Sequence, residues 1–305
     1  MSIIVGQSMA NNVSLVCFGE VLWDCFGETK RLGGAPLNMC FRVKLLGINA
    51  QMISAVGEDE LGDALLDELK EKQLSTEYIA VNPNKKTSTV QVTLDSHGSA
   101  KYEIMPDTAW DNIVLTDEII GKVASTDIFV FGSLIGRTET SLITLKQLLE
   151  HAKFKVFDVN LRSSHYHLDN LIALMNGADF IKLNDDELYE IAKGMGCKYH
   201  SLEQNLDFIA KQTNTEFLCV TKGNHGALLS IKGKNYYNSG YRIDVVDTVG
   251  AGDSFLGALI YQLCTYDDPQ QAIDFACAAG AMVAQQLGAT PNITYQQILE
   301  FIEPC

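Results

Sequence analysis

No stretch of this chain reaches the ~18 consecutive apolar residues that a membrane helix requires, and its first basic residue is Lys30, so no positively charged leader is expected. The expectation is a soluble, cytoplasmic protein. Basic charge is scarce throughout: Lys plus Arg number 23 against 38 Asp plus Glu, a formal charge of −15. That argues against a nucleic-acid binder, whose surface needs a basic stripe. It does not argue against a phosphate ligand, because a local anion site depends on backbone N–H groups more than on net charge. The eight cysteines (17, 25, 40, 197, 219, 264, 277 and 305) contain no C-x-x-C pair, which removes zinc ribbons and redox motifs. They read as reduced thiols filling apolar space. A Walker P-loop and a G-x-G-x-x-G fingerprint are both missing. His165 and His167, with Asp169 close by, read as a polar loop, with a metal pair as the alternative.

What is present is an alternation. Short apolar runs at residues 13–18, 51–56, 127–132, 154–158, 179–183 and 217–221 read as buried strands. Helical patterns follow or separate them at 36–46, 60–72, 139–152, 186–193 and 202–212. Pro36 suits a first helical turn and Gly47 a stop. Such alternation predicts βαβ units and a mainly parallel sheet covered on both faces. Residues 87–94 and 100–105 instead alternate with period two around a turn-rich 95–98, which predicts an antiparallel hairpin. Set inside an α/β chain, it reads as a lid, with residues 21–31 as a neighbouring strand. Residues 1–12 read as a frayed tail.

The most informative stretch is Asp244–Ile260, DVVDTVGAGDSFLGALI. It reads as a strand-to-helix turn through Gly250-Ala251-Gly252, followed by an apolar helix. Such a turn leaves the first helical N–H groups unpaired, with the helix dipole behind them, and so forms an anion site. Asp253 would then stand beside a bound phosphate, or serve only as an N-cap.

DTVGAGDSF resembles the C-terminal signature of the ribokinase-like (phosphofructokinase-B) family of carbohydrate kinases. A second signature, Gly33-Gly34-Ala35-Pro36-Leu37-Asn38, leads into a helix ending at Leu46-Gly47. Gly19-Glu20 with Asp24, then Asp158-Val159-Asn160-Leu161-Arg162, then Asn184-x-x-Glu187 and Thr221-Lys222-Gly223-x-x-Gly226 follow the family's order. The resemblance implies one kinase domain over residues 13–305. Its fold would be a three-layer α/β/α sandwich with a small antiparallel β lid built from about 21–33 and 87–111.

The resemblance also implies roles. Asp253 is similar to the catalytic base, and the amides of Gly250, Ala251, Gly252 and Asp253 to the anion hole. Asp24, Gly33, Gly34, Asn38 and Arg162 resemble the sugar contacts. Thr221, Lys222, Gly223, Gly226, Gly252, Asn184 and Cys277 resemble the nucleotide site. Asn184 and Glu187 resemble the pair that orients Mg²⁺ through water, and Asp247, Val249, Val283, Gln286, Gly288 and Asn292 fall where relatives bind K⁺. ATP, Mg²⁺ and possible K⁺ are therefore the implied cofactors, a small sugar the implied partner, and a homodimer through the lid a further expectation. Here Val159 replaces the family's usual proline. Trp110, beside the hairpin, either touches substrate or packs.

The Gly-Gly-Ala-Pro-x-Asn form looks most like the fructokinase branch, which implies fructose phosphorylated at its 6-hydroxyl. The alternatives within the family are 2-keto-3-deoxygluconate and ribose; a sugar-phosphate substrate would call for extra basic residues near the lid, where Lys101 stands alone. Outside it, a non-catalytic sugar sensor would be expected to have lost Asp253 or its glycines. A serine esterase acting through Ser254 would lack a histidine after His225.

Overall fold

The computed structural model describes residues 4, 13–94, 100–162 and 165–303. The turn expected at 95–98 lies outside them, and of the expected tail only Ile4 is described, half-buried against the core.

The chain opens with β1 (Ser14–Phe18), β2 (Leu22–Phe26) and β3 (Thr29–Gly33), then α1 (Ala35–Leu45), β4 (Asn49–Gly57) and α2 (Glu60–Glu71). After β5 (Ile79–Asn82) come β6 (Ser88–Leu94) and β7 (Ala100–Ile104). Alternation then follows: α3 (Asp117–Ser125), β8 (Ile128–Gly132), α4 (Glu139–Leu149), β9 (Phe154–Asp158), α5 (Leu168–Asn176), β10 (Phe180–Asn184). It continues with α6 (Asp185–Gly194), α7 (Leu202–Thr213) and β11 (Phe217–Thr221). The chain closes with β12 (Ala227–Ile231), β13 (Lys234–Asn238), α8 (Ala251–Thr265), α9 (Pro269–Ala284) and α10 (Tyr295–Ile302).

Nine strands form one sheet in the order β13-β12-β11-β10-β9-β8-β1-β4-β5. It is parallel from β5 to β11, and β12 and β13 extend it antiparallel. Successive residues point to opposite faces, so each central strand feeds two cores. Leu15, Val130, Val156, Phe180 and Cys219 pack under α1, α8, α9 and α10. Val16, Phe129, Phe157, Ile181 and Val220 pack under α3 to α7. The three layers expected from the alternation are present.

The smaller sheet runs β3-β2-β6-β7. It contains two antiparallel hairpins, β2–β3 and β6–β7, joined by a parallel pairing of β2 with β6. Residues 21–31, expected as one strand, are two strands folded back at Gly27, whose φ of 61° suits the reversal. Both ends of the 87–111 segment are pinned to the main body. At one end Asp59 accepts from the amide and hydroxyl of Thr87 at 2.8 and 2.7 Å. At the other, Arg137 grips Asp111 with two bonds of 2.6 Å. Trp110 is fully buried, with the Arg137 guanidinium 4.2 Å from its ring centroid, so it packs at the base of the lid.

Candidate active site

The parallel strands β1, β8, β9, β10 and β11 all end at one edge, the edge where open α/β sheets bind ligands. Their last residues or the loops beyond carry Glu20, Asp158, Asn160, Arg162, Asn184 and Thr221, and Lys182 stands in the middle of β10.

The chain before Gly250 is an irregular loop, not the strand expected; the nearest strand, β13, ends at Asn238. Gly250 caps α8 with φ 75°, and a Cβ there would lie 2.5 Å from Ala289 Cβ. Asp253 therefore stands in the first helical turn rather than at the cap. Of the four amides expected to face a phosphate, that of Ala251 already donates to Thr248 O at 3.2 Å. Those of Gly250, Gly252 and Asp253 have no acceptor among the described residues. The tip of α8 thus presents three amides without an acceptor among the described residues.

On one side of this tip opens a cavity of about 620 Å³, lined by Asn184, Thr221, Gly223, Gly226, Ala251, Gly252 and Cys277. This is the size range of small-ligand pockets. Of the residues expected at the nucleotide, Lys222 does not line it; its amide closes the turn to Gly226 O at 2.7 Å. Tyr241, Ile243, Phe255 and Gly280 add apolar walls that no motif announced.

On the other side lie the expected sugar contacts. Asn38 Nδ2 donates to Asp253 Oδ2 at 2.8 Å. Gly34 has φ 114°, and a Cβ there would meet Glu20 O at 2.4 Å; one on Gly33 would meet Asp24 Oδ2 at 2.3 Å. These glycines let the turn into α1 press against β2. Glu20, buried, accepts from the Ala35 amide at 3.2 Å, and its Oε2 has no partner among the described residues. Arg162 is exposed and donates to Asn160 Oδ1 at 2.8 Å, so it stands at the lip of the site.

Three carboxylates here resist ionisation. Burial pushes Glu20 up to about 7, against the pull of its hydrogen bonds and Arg162. Burial pushes Asp24 up to about 6, with Asp253 and Asp247 adding to it and Arg162 opposing. Part of Asp253 reaches the cleft, yet its carboxylate lies deep enough that burial, then Asp158, lifts it to about 6. Asn38, Lys182 and Arg162 hold it back.

Asn184 and Glu187 form a reciprocal cap of α6: Asn184 Oδ1 accepts from the Glu187 amide and Glu187 Oε2 from the Asn184 amide, both at 2.8 Å. Glu187 Oε1 accepts from the Leu161 amide at 2.7 Å. Among the described residues no three His, Cys, Asp or Glu side chains converge as a metal cage. Asp247 accepts from the amides of Val249 and Gly288, each at 3.0 Å, and lies 3.5 Å from Arg31 Nη1. The Val283 carbonyl accepts from the Gln286 amide at 2.9 Å, and Asn292 lies between the two carbonyls that Arg42 holds.

A profile of pfkB family carbohydrate kinases matches residues 2–295. The chain belongs to the pfkB family of carbohydrate kinases. Among its relatives is the protein named "Probable fructokinase-5" from Arabidopsis thaliana, 28% identical, the match covering 93% of this chain and 95% of the relative. The crystal structure of a Xylella fastidiosa fructokinase with bound ATP superposes with TM-score 0.82 at 23% identity, covering 95% of this chain and 98% of that one. A Vibrio cholerae O395 fructokinase, solved with fructose, ADP and calcium, matches with TM-score 0.82 at 25% identity over 95% and 99% of the two chains.

The pfkB match removes the esterase alternative together with the geometry of Ser254. That side chain is buried, and its Oγ lies 3.4 Å from Arg42 Nε, so it cannot meet a substrate. His167 directly precedes α5 and Asp169 lies in its first turn. Lys101 lies in β7, its side chain outside those described. No helix of the described residues is long and apolar enough to cross a membrane.

Two buried basic residues went unread in the sequence. Arg42, 1% exposed, donates to the carbonyls of Ile293 and Pro291 at 2.9 and 3.0 Å and so ties α1, one turn beyond Asn38, to the loop packed beside α8. Lys182 bonds Asp158 Oδ1 at 3.0 Å; burial opposes its charge, but Asp158, Glu187 and Asp253 outweigh it and keep the ammonium protonated. The signal for Lys182 was its place: a lysine inside an apolar strand, followed by Asn184.

Proposed function

We propose that this kinase transfers the γ-phosphate of ATP to a primary hydroxyl of a free sugar, D-fructose at its 6-position. One observation carries the reading. Gly252 lines the large cavity, while its neighbour Asp253 bonds Asn38 on the sugar side, so the tip of α8 divides nucleotide from acceptor. The fructokinase relatives support fructose as the acceptor.

In this reading ATP lies in the 620 Å³ cavity with its γ-phosphate against the amides of Gly250, Gly252 and Asp253. The sugar sits between Asp24, Gly34, Asn38 and Arg162. Asp253 Oδ1, the oxygen not held by Asn38, accepts the proton of the 6-hydroxyl as that oxygen bonds to the γ-phosphorus. The bond from phosphorus to the β,γ-bridging oxygen breaks, and ADP leaves. A positioned base supplies about 10²–10⁴-fold, and each donor of the anion site about 10²–10³. Positioning and charge stabilisation are most of what phosphoryl transfer requires.

Magnesium fits as an ion carried by the ATP phosphates and water, because Asn184 lines the cavity and the oxygens of Asn184 and Glu187 each accept a single hydrogen bond among the described residues, which leaves acceptor capacity for such water. Bound there, it would neutralise phosphate charge. Potassium fits less well: the Asp247 carboxylate is already shared by two amides and Arg31. The lid pins at Thr87 and Asp111 suit a sheet that closes over the sugar and excludes water; a lid-to-lid homodimer remains part of the proposal.

ADP release measured over free sugars, keto-acid sugars, nucleosides and sugar phosphates tests the assignment. Fructose should give the highest kcat/KM, and excess chelator should abolish turnover. Another acceptor well above fructose would reassign the substrate.

A further inference from the structure

We propose that Lys182 is a catalytic residue whose ammonium binds the phosphoryl group in transfer, and that Asp158 is the positioning residue that aims it. The inference rests on the phosphotransfer reading above and adds a donor to it.

The placement follows from strand parity. Along β10, Ile181 and Leu183 face the core under α3 to α7, and Phe180 faces the core under α1, α8 and α9. Position 182 must share the face of Phe180, and its cross-strand partner on β11, Cys219, is also in that core. An apolar side chain would satisfy this site. Instead a lysine projects towards α8 from the middle of the strand, with only 7% of its side chain exposed. The register pairs Lys182 with Asp158 on β9, and the two side chains meet at 3.0 Å.

The ammonium rests against the anion site. A Cβ built on Gly252 would lie 3.5 Å from Lys182 Nζ, and the Gly252 amide has no acceptor among the described residues. Lys182 spends one donor on Asp158, and its other two have no acceptor among the described residues. A buried ion pair is a poor source of stability compared with packed apolar residues. The same charge in a water-poor site, fixed beside the position where negative charge builds, is worth far more to a transition state than in water. Lysine suits this as a compact charge on a flexible stem.

The test is the Lys182→Met variant of the full chain, with ADP, aluminium fluoride and fructose as the transition-state probe. The affinity of the aluminium fluoride complex should fall about 10²-fold, with kcat, while ADP alone binds within about threefold. Asp158→Asn should lower kcat about tenfold and leave both KM values within twofold, since it only misaims the ammonium. Unchanged aluminium fluoride affinity in Lys182→Met overturns the proposal. Should that variant not fold, the wild-type crystal structure with the same probe decides: Nζ within about 3.2 Å of a fluoride upholds it, and a gap beyond about 4 Å defeats it. A wild type that releases no ADP with any sugar defeats the phosphotransfer reading itself. A wild type that turns over no faster than Lys182→Met defeats this inference alone.

Discussion

Asn38 and Asp253 lie 215 positions apart in the sequence, and the amide of the first donates to the carboxylate of the second at 2.8 Å. The bond holds Oδ2 of Asp253; in the proposed reaction Oδ1 then takes the substrate proton. A donor to a carboxylate favours its charged form, so removing it raises the pKa. Asn38→Leu should therefore move the acid limb of the kcat/KM–pH profile upward and cost about tenfold in rate near pH 7, more at pH 6. A limb that stays in place would show that Asn38 does not govern the base.

The wild-type profile has its own expected shape. With Asp253 near 6, kcat/KM should fall as pH drops through about 6. Asp253→Asn should remove about 10²–10⁴ of kcat and keep fructose affinity within a few-fold, readable by calorimetry. Retention of most turnover would end the base assignment.

Stability should respond in the opposite sense to that of ordinary paired carboxylates. The folded pKa values of Glu20, Asp24 and Asp253 lie above their unfolded values, so the native state binds more protons between about pH 4 and 7. Their contribution is most favourable at the acid end and is lost progressively as pH rises from about 4 to 7. Asp253→Asn should raise Tm by a few degrees at pH 8 and by about half as much at pH 5. Equal shifts at both pH values would show that the charge on Asp253 costs the fold nothing.

The glycine turn and the sheet were legible because each leaves a local mark. Apolar runs such as Phe217–Thr221 and Phe154–Asp158 match their strands to the residue, since both faces of a parallel strand are buried. The edge strands β5 and β13 mix polar and exposed residues, and nothing in their composition separates them from loops. α9, rich in alanine and buried almost all round, lacks the one-sided pattern by which a surface helix is read. The loop before Gly250 passes for a strand because Val245 and Val246 are apolar, yet both are exposed. Arg42 and Lys182 were hidden for another reason: their partners, Ile293 O and Asp158, come from distant segments, and only sheet register and helix packing bring them near.

Gly250 carries a backbone angle and a contact that no side chain tolerates. At φ 75°, an added Cβ would lie 2.5 Å from Ala289 Cβ and 2.7 Å from Ala289 O. Left-handed backbone and overpacking together should make Gly250→Ala about 3 kcal/mol less stable in urea unfolding. Turnover should fall as well, because the amides beyond it must shift. A variant as stable as wild type would mean that the Ala289 loop yields freely.

The lid base offers a separable test, since the side-chain bonds of Arg137 and Asp111 run to each other, to Met105 and to Thr108 rather than to the tip of α8. Arg137 is 5% exposed and Asp111 fully buried; their bidentate bond sits on the face of Trp110, and Arg137 Nη2 also donates to Met105 O at 2.7 Å. Breaking such a pair leaves a buried charge uncompensated, so Arg137→Leu should cost about 3–5 kcal/mol. Removing both charges in Arg137→Leu/Asp111→Leu should restore part of that loss, although Asp111 also accepts from Thr108. The coupling between the two changes, read from urea unfolding of all four proteins, should be about 2 kcal/mol or more. Additive losses would mean that the two charges are held by the surrounding structure rather than by each other, and that the pair does not pin this end of the lid.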